Sequence, residues 1–296
     1  FLRDLPTIDI AKTNQRVMSL ASSQSADILH RLQEAGVEVI SGRGRVLSNT
    51  SVEITTSTTK VSVDADAILV ATGAYPREIS TSPCDGVRIL NWKQLYTLDE
   101  VPGHLIVIGS GVTGAEFASA YAALGSRVTL VSSRAWVLPN EDEDAARVIG
   151  DFFEQRGITL CNEVRAHSVK SQHDGVIVEL SNGQHLEGTH ALIAIGSLAN
   201  TTNVGLESVG VNLNAQNFIE VDAMSRTNIP GIYAAGDCTG TVMLASVAAM
   251  QGRIAMRHAL GQSVQPLGVS TVASTVFTIP EIATVGVSAR DAEVNN

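Results

Sequence analysis

The sequence predicts an α/β fold centred on a βαβ unit, and three observations predict it. First, residues 104–133 read as strand, glycine turn, helix and strand. The apolar run 105–108 meets Gly109, Gly111 and Gly114 in G-x-G-x-x-G spacing, and apolar residues then recur at helical intervals until Gly125 stops them. Residues 128–131 form the second apolar run. Second, two further buried strands, 66–70 and 190–195, each run into a turn of small residues: Ala71-Thr72-Gly73-Ala74 and Gly196-Ser197. Third, the apolar stretch that starts at Gly231 ends in Gly236-Asp237 and is followed by a long helix, roughly 244–260.

Each glycine of the central motif has a mechanical reading. Gly109 allows the tight turn, Gly111 lets a pyrophosphate approach the backbone, and Gly114 lets the helix pack on the strand. The phosphates would sit on free N–H groups at the positive end of the helix. The plain alternative is an ordinary tight βα turn.

Along the chain, apolar positions at helical spacing over 17–35, closed by Gly36, read as a packing helix. The runs 37–40, 52–55 and 61–63 read as a strand and a small meander. Residues 75–103 are rich in proline and glycine and read as a hinge between domains. The acidic cluster Glu141-Asp142-Glu143-Asp144 precedes apolar positions at helical spacing, so it reads as a capped helix start with acids facing the dipole rather than as a metal site. Residues 158–160, 164–169 and 176–180 read as strands, with Ser181-Asn182-Gly183 closing a hairpin. Asp237 suits an acceptor for ribose or ribityl hydroxyls; the simpler reading is a helix cap. Cys238 has no basic neighbour and reads as a small buried residue. The histidines fall in no ligand spacing, and no metal site is expected.

Composition sets limits. At 296 residues and 44% apolar, the chain is long enough for about two domains with substantial cores. A net charge of −10 argues against nucleic acid or an anionic membrane as a partner. Mean hydropathy is slightly positive, yet the most apolar helical stretch, 243–260, is interrupted by Gln251, Arg253, Arg257 and His258, so no transmembrane segment is expected. Three widely spaced cysteines and no visible leader suggest a cytoplasmic protein. The chain opens at Phe1 and closes in mid-pattern at Asn296, as expected of a piece of something longer.

The motifs IVIGSGVTGAEFA, ILVATGAYP, LIAIGSLANT, TNIPGIYAAGDCTG, LASVAAMQGRIA and TVFTIPEIATVGVS, in this order, resemble the flavoprotein (pyridine nucleotide-) disulfide reductase family. The likeness is greatest to its dihydrolipoamide-dehydrogenase-like NAD(P)H:quinone reductases. The resemblance implies two Rossmann-like three-layer domains: an FAD domain over 1–102 and 225–268, with its first part missing, and an inserted NAD(P) domain over 103–224. Residues 269–296 would begin an α+β dimerisation domain of a homodimer.

Roles carry over by position. For FAD, Gly44 matches a backbone contact, Thr72-Gly73 the turn near the flavin nucleotide, Asp237 the ribityl-binding acid and Ala245 the amide directed at the flavin ring. For NAD(P)H, Gly109, Ser110, Gly111, Val112, Thr113 and Gly114 match the pyrophosphate loop. Val164 matches the adenine wall, and Ala194, Ile195, Gly196 and Ser197 the turn beside nicotinamide. Glu116 matches a glutamate close to nicotinamide and flavin, against the plain alternative of a surface helical glutamate.

Three departures stand out. Ser132 replaces the acid that binds the ribose 2′-hydroxyl in NAD-preferring members, and with Arg134 nearby this implies NADPH use as well as NADH. Ser197 stands where many members have arginine. The first FAD glycine motif, the redox cysteine pair and the C-terminal His–Glu base are not in the sequence and are expected before Phe1 or after Asn296. The implied activity is hydride transfer from NAD(P)H to FAD and onward to a quinone or other small redox acceptor. The alternatives are dihydrolipoamide dehydrogenase or a related dithiol–disulfide reductase, and a truncated nucleotide-binding product without catalysis.

Overall fold

The computed structural model describes residues 8–294, so the two ends on which the fragment reading rested lie outside the described residues. In chain order it begins with helix α1 (Ile10–Glu34) and the strands β1 (Arg43–Ser48), β2 (Ser51–Thr55), β3 (Lys60–Asp64), β4 (Ile68–Val70), β5 (Ala74–Pro76) and β6 (Ile89–Asn91). There follow α2 (Trp92–Leu95), β7 (His104–Ile108), α3 (Val112–Ala123), β8 (Arg127–Val131), α4 (Glu143–Gln155) and β9 (Thr159–Cys161). Then come β10 (Ala166–Gln172), β11 (Gly175–Leu180), β12 (His185–Gly188), β13 (His190–Ile193) and β14 (Ser197–Ala199). The last elements are β15 (Ile232–Ala234), α5 (Ala245–Ala259), β16 (Ser274–Val276), β17 (Ile282–Thr284) and α6 (Ala289–Val294).

The chain divides into two compact units: residues 1–37, 76–196 and 275–296 in one, residues 38–75 and 197–274 in the other. In the first unit, five parallel strands lie in the order β6-β13-β7-β8-β9. Their side chains alternate between two buried faces, which is why the strands read as unbroken apolar runs. Leu105, Val107, Leu130 and Leu192 pack against Ala115, Ala118 and Tyr121 of α3 and Ile149 and Phe153 of α4. Ile106, Ile108, Val131 and Ile193 face the other way, onto Val169, Val176 and Val178 of the antiparallel meander β10-β11-β12. This unit is therefore a three-layer sandwich of helices, parallel sheet and meander. The expected α/β class is observed.

The second unit has a smaller core, where Val46, Ile68, Leu206, Ile219 and Ile232 meet Cys238. Its Rossmann-like part is the parallel pair β4–β15 with α5, joined by the meander β1-β2-β3 and the pair β5–β14.

Several sequence expectations need correction. Residues 37–40 are not a strand; Val37, Val39 and Ile40 are exposed, and an apolar run without a neighbouring ladder has nothing to pair with. β1 forms instead six residues on, paired with β2. α1 starts earlier than expected and is not a packing helix along its length. It buries only Ile10 and Asn14, the latter donating to the Leu98 carbonyl at 2.8 Å. α4 begins at the acidic cluster, but Asp142 does not cap it; its carboxylate accepts from the Ala289 N–H at 2.9 Å. Glu143 and Asp144 occupy the first turn as expected.

The compact units also part company with the boundaries expected at 102/103, 224/225 and 268/269. Residues 75–103, read as a hinge, contribute β6 to the edge of the parallel sheet. Residues 197–224 join the second unit because β14 pairs with β5 and the Ile219 N–H donates to the Cys238 carbonyl at 2.9 Å.

Two half-buried histidines sit on this parallel sheet. Burial, with Arg127 nearby, lowers His104, whose Nε2 lies 2.9 Å from Thr129 Oγ1; burial, with Arg88 nearby, lowers His190. Each is held neutral in the fold, so the unfolded chain binds more protons near its ordinary value of 6.5. The stability they contribute is present above that pH and is lost as pH falls. Urea unfolding should show a loss between about pH 7.5 and about pH 5.5 that is shallower in the His104→Gln/His190→Gln double variant. An unchanged slope would remove these histidines from the explanation.

Candidate functional site

In the first unit, the turn after β7 lies at the point where strand order reverses, with β8 on one side of β7 and β13 on the other, the usual ligand crevice of such sheets. The Gly109 N–H donates to the Val131 carbonyl at 2.9 Å, so β7 and β8 end together. Gly109 has φ +110, and a Cβ there would overlap the Ala194 carbonyl oxygen. A Cβ on Gly114 would overlap the carbonyl oxygen of Gly109, so only glycine lets α3 rest on the turn.

Gly111 differs from both. Its φ is an ordinary −70° and a Cβ would meet nothing within 4 Å. Neither backbone strain nor internal crowding calls for glycine at this position. The space beside it is open at the amino end of α3, which is where a pyrophosphate needs to approach.

The helix ends carry a second signal. α1 is capped by Asp9, α2 by Asn91, and α4 and α6 have acids in their first turns. Among the described α-helices only α3 and α5 have neither a side-chain cap nor a first-turn acid. Their free N–H groups and positive dipole ends are left to an outside anion.

At the end of β8, Ser132 is fully buried. Its Oγ lies 2.7 Å from Ser110 Oγ and donates to the Arg134 carbonyl at 3.0 Å. It therefore ties the turn after β7 to the β8 end rather than presenting its hydroxyl, while Arg134 is exposed and in no ion pair among the described residues. Val164 is half-buried beside it, donating its N–H to the Ser132 carbonyl at 2.9 Å. Ala194 donates to the Ile108 carbonyl at 2.8 Å, and Ile195 and Gly196 are exposed just beyond. Ser197, expected with this group, opens the second unit. Val112 and Thr113 begin α3.

Glu116 is half-buried and engaged. Its Oε1 accepts from the Phe277 N–H at 2.9 Å, and one turn on, Ser119 Oγ accepts from the Ile279 N–H at 3.1 Å. The two side chains clip the residue 277–279 segment to α3.

In the second unit the same local logic recurs. The Ala235 N–H donates to the Val70 carbonyl at 3.0 Å, tying the ends of β15 and β4. Thr72 and Gly73 follow β4, and Asn200 bonds to both of their carbonyls, at 3.2 and 3.0 Å. Asp237 is half-buried and its carboxylate has no hydrogen-bond partner among the described residues, which leaves it free for hydroxyl donors. Ala245 is the first residue of α5 and exposed. Gly44 lies in β1 opposite Ile54, also exposed. All the residues expected to hold FAD thus fall in the second unit, and all those for NAD(P)H except Ser197 fall in the first.

All three cysteines are free. Burial, with Glu78 nearby, pushes the Cys84 thiol up to about 12, and burial raises Cys161 and Cys238 as well. None is an activated thiolate. Cys238 is fully buried, as expected, under the Ala235 and Val70 carbonyls. Among the described residues no cluster suited to a metal ion occurs, and no helix is long and apolar enough to cross a membrane.

The family model for pyridine nucleotide-disulphide oxidoreductases matches residues 5–252. An NAD(P)H dehydrogenase (quinone) of Mycobacterium tuberculosis is 52% identical over 287 residues, covering 95% of this chain and 58% of that protein. A dihydrolipoyl dehydrogenase of Chlamydia trachomatis is 36% identical over 259 residues, covering 87% of this chain and 55% of that protein. The crystal structure of LpdA from M. tuberculosis superposes with a TM-score of 0.93 at 50% identity, covering 98% of this chain and 65% of that one. The flavoprotein disulfide reductase RclA from Escherichia coli superposes at 0.89 with 25% identity, covering 98% and 66%. The chain spans just over half the length of the curated relatives it matches.

The glycine geometry separates binding from folding. Gly111→Ala should cost under about 1 kcal/mol of stability but weaken NADH and NADPH binding about tenfold or more, because its methyl fills the open space. Gly114→Ala should instead destabilise the unit by roughly 1–3 kcal/mol. Urea unfolding and nucleotide-fluorescence titration would distinguish them; equal stability loss in both variants would refute the reading of Gly111.

Proposed function

The chain belongs to the pyridine nucleotide-disulphide oxidoreductase family, whose cofactors are FAD and NAD(P)H, and on that premise we propose that it is the nucleotide-handling part of an NAD(P)H:quinone oxidoreductase. Bound FAD would supply the two-electron redox chemistry that links NAD(P)H to a quinone or similar small acceptor. The observation that carries the reading is the sorting of the expected residues into two units, each of which also contains an α-helix that starts without a cap or first-turn acid.

The chain's own residues bind and orient. In this reading, Gly109 to Gly114 and the N–H groups at the start of α3 hold the pyridine-nucleotide pyrophosphate. Ser110 and Ser132 fix the shape of that loop, Val164 lines the adenine side, and Ala194 to Ser197 lie beside the nicotinamide half. Asp237 accepts hydroxyls of the ribityl chain, the amide of Ala245 points toward the flavin ring, and Thr72, Gly73 and Gly44 offer backbone contacts. Glu116 lies by the reacting rings, and its bond to Phe277 supports a role in holding their surroundings rather than in proton transfer. The greater identity to the quinone dehydrogenase than to the dihydrolipoyl dehydrogenase favours a quinone-type acceptor. A cytoplasmic homodimer is part of the same proposal.

Coenzyme choice follows from the β8 end. With no carboxylate to repel a 2′-phosphate and an exposed guanidinium at Arg134, both NADPH and NADH are accepted. Arg134→Ala should raise KM for NADPH about tenfold while leaving that for NADH unchanged; Ser132→Glu, expected from the sequence to shift preference toward NADH, would instead bury a carboxylate and break the Ser110 bond, so it does not report on coenzyme choice. Equal effects on both coenzymes would sink this assignment. The acceptor class is tested by anaerobic reduction of the full-length flavin-loaded protein, followed in the visible spectrum. Bleaching without a long-wavelength charge-transfer band, and rapid reoxidation by a quinone, is expected; a persistent band would mean a thiolate beside the flavin and a disulfide reductase instead.

A further inference from the structure

The turn that carries Asp237 is held from within by a side chain to which the proposal above gives no role. Gln251 lies in α5 and is 1% exposed, so its amide must find partners inside the protein. Its Oε1 accepts from the Gly236 N–H at 2.8 Å. Its Nε2 faces Thr239 Oγ1 at 3.4 Å and Thr241 Oγ1 at 3.5 Å. Thr239 Oγ1 in turn donates to the Gly236 carbonyl at 2.9 Å. One carboxamide thus supplies an acceptor to the backbone at one end of the turn and a donor to hydroxyls at the other.

The neighbours of Asp237 are fixed on both sides. Gly236 has φ +79, a conformation open to glycine, and Gln251 holds its N–H there. Cys238 on the other side is fully buried, and its carbonyl accepts from Ile219. Between them the Asp237 carboxylate is left without a partner among the described residues. A turn tied at Gly236 and at the Cys238 carbonyl, with a free carboxylate between the two, is a preorganised acceptor.

We infer that Gln251 is a positioning residue for Asp237, setting the direction in which that carboxylate meets the hydroxyls of its ligand. The inference rests on the reading that the second unit holds FAD through Asp237. A leucine at 251 has similar bulk but leaves the Gly236 N–H buried and unpaired, so the turn relaxes and the carboxylate loses its aim.

The test is a double-mutant cycle on the full-length protein. FAD affinity is measured by titrating apoprotein with FAD and following flavin fluorescence, for Asp237→Ala, Gln251→Leu and the pair. Each single variant should weaken FAD binding at least about tenfold, and Gln251→Leu should cost nothing further once Asp237 is gone. Gln251→Glu, which keeps an acceptor for the Gly236 N–H, should restore most of the affinity and is the fallback if the leucine variant does not fold. Should Gln251→Leu cost the same affinity with or without Asp237, the residue acts on the unit at large and the inference fails. Should Asp237→Ala bind FAD normally, the flavin reading of Asp237 fails instead.

Discussion

The seating of α3 on the carbonyl of Gly109 governs the first unit. Because no Cβ fits at Gly114, the helix can descend to the level of the strand ends, and its first N–H groups then open directly beside Gly111. From that contact follow the positions of Ala115, Ala118 and Tyr121 over the sheet, and through them the helical layer of the sandwich. The Gly109–Ala194 approach fixes the other side of the crevice in the same way. A site defined by such contacts is stiff because interiors are close-packed, and a shift of the helix end would have to displace the whole layer.

Both units solve the anion problem by the same means. A strand end is tied to its neighbour by one backbone bond, and the next α-helix along the chain begins without cap or acid. Helices with purely structural work in this protein answer their own N-termini, as Asp9 and Asn91 do. Leaving an N-terminus unanswered costs stability, and among the described α-helices this happens only at α3 and α5, the two helices that the proposed nucleotide sites use.

What the sequence made legible was local. The βαβ unit is read within 30 residues because its strands, turn and helix each carry their own period and punctuation, and the structure places β7, α3 and β8 within a few residues of expectation. The turn at Ser181 to Gly183 was readable for the same reason. The misses are long-range or context-dependent. Residues 37–40 have strand-like composition but no ladder to join. The allegiance of residues 197–224 is decided by pairing with β5 and Cys238, which no local pattern reveals. The bond from Glu116 to Phe277 spans 161 positions in sequence, and Gln251 reads as a polar interruption of an apolar helix until its partners at Gly236 and Thr239 are seen. Burial of Ser132, likewise, depends on its meeting Ser110 across 22 positions.

The clip formed by Glu116 and Ser119 bears on how the molecule comes to be made. Val276 and Ile282 belong to the same core as Tyr121 and Phe153, yet they are separated from it in sequence by the whole of the second unit's longer stretch. During synthesis from the amino end, the five strands and their helices can collapse as soon as β13 has emerged, but the outer face of α3 stays uncovered until the chain beyond residue 282 leaves the ribosome. The first unit therefore closes only after the second unit's longer stretch has been made, and for that interval the outer face of α3 is an open nascent-chain surface.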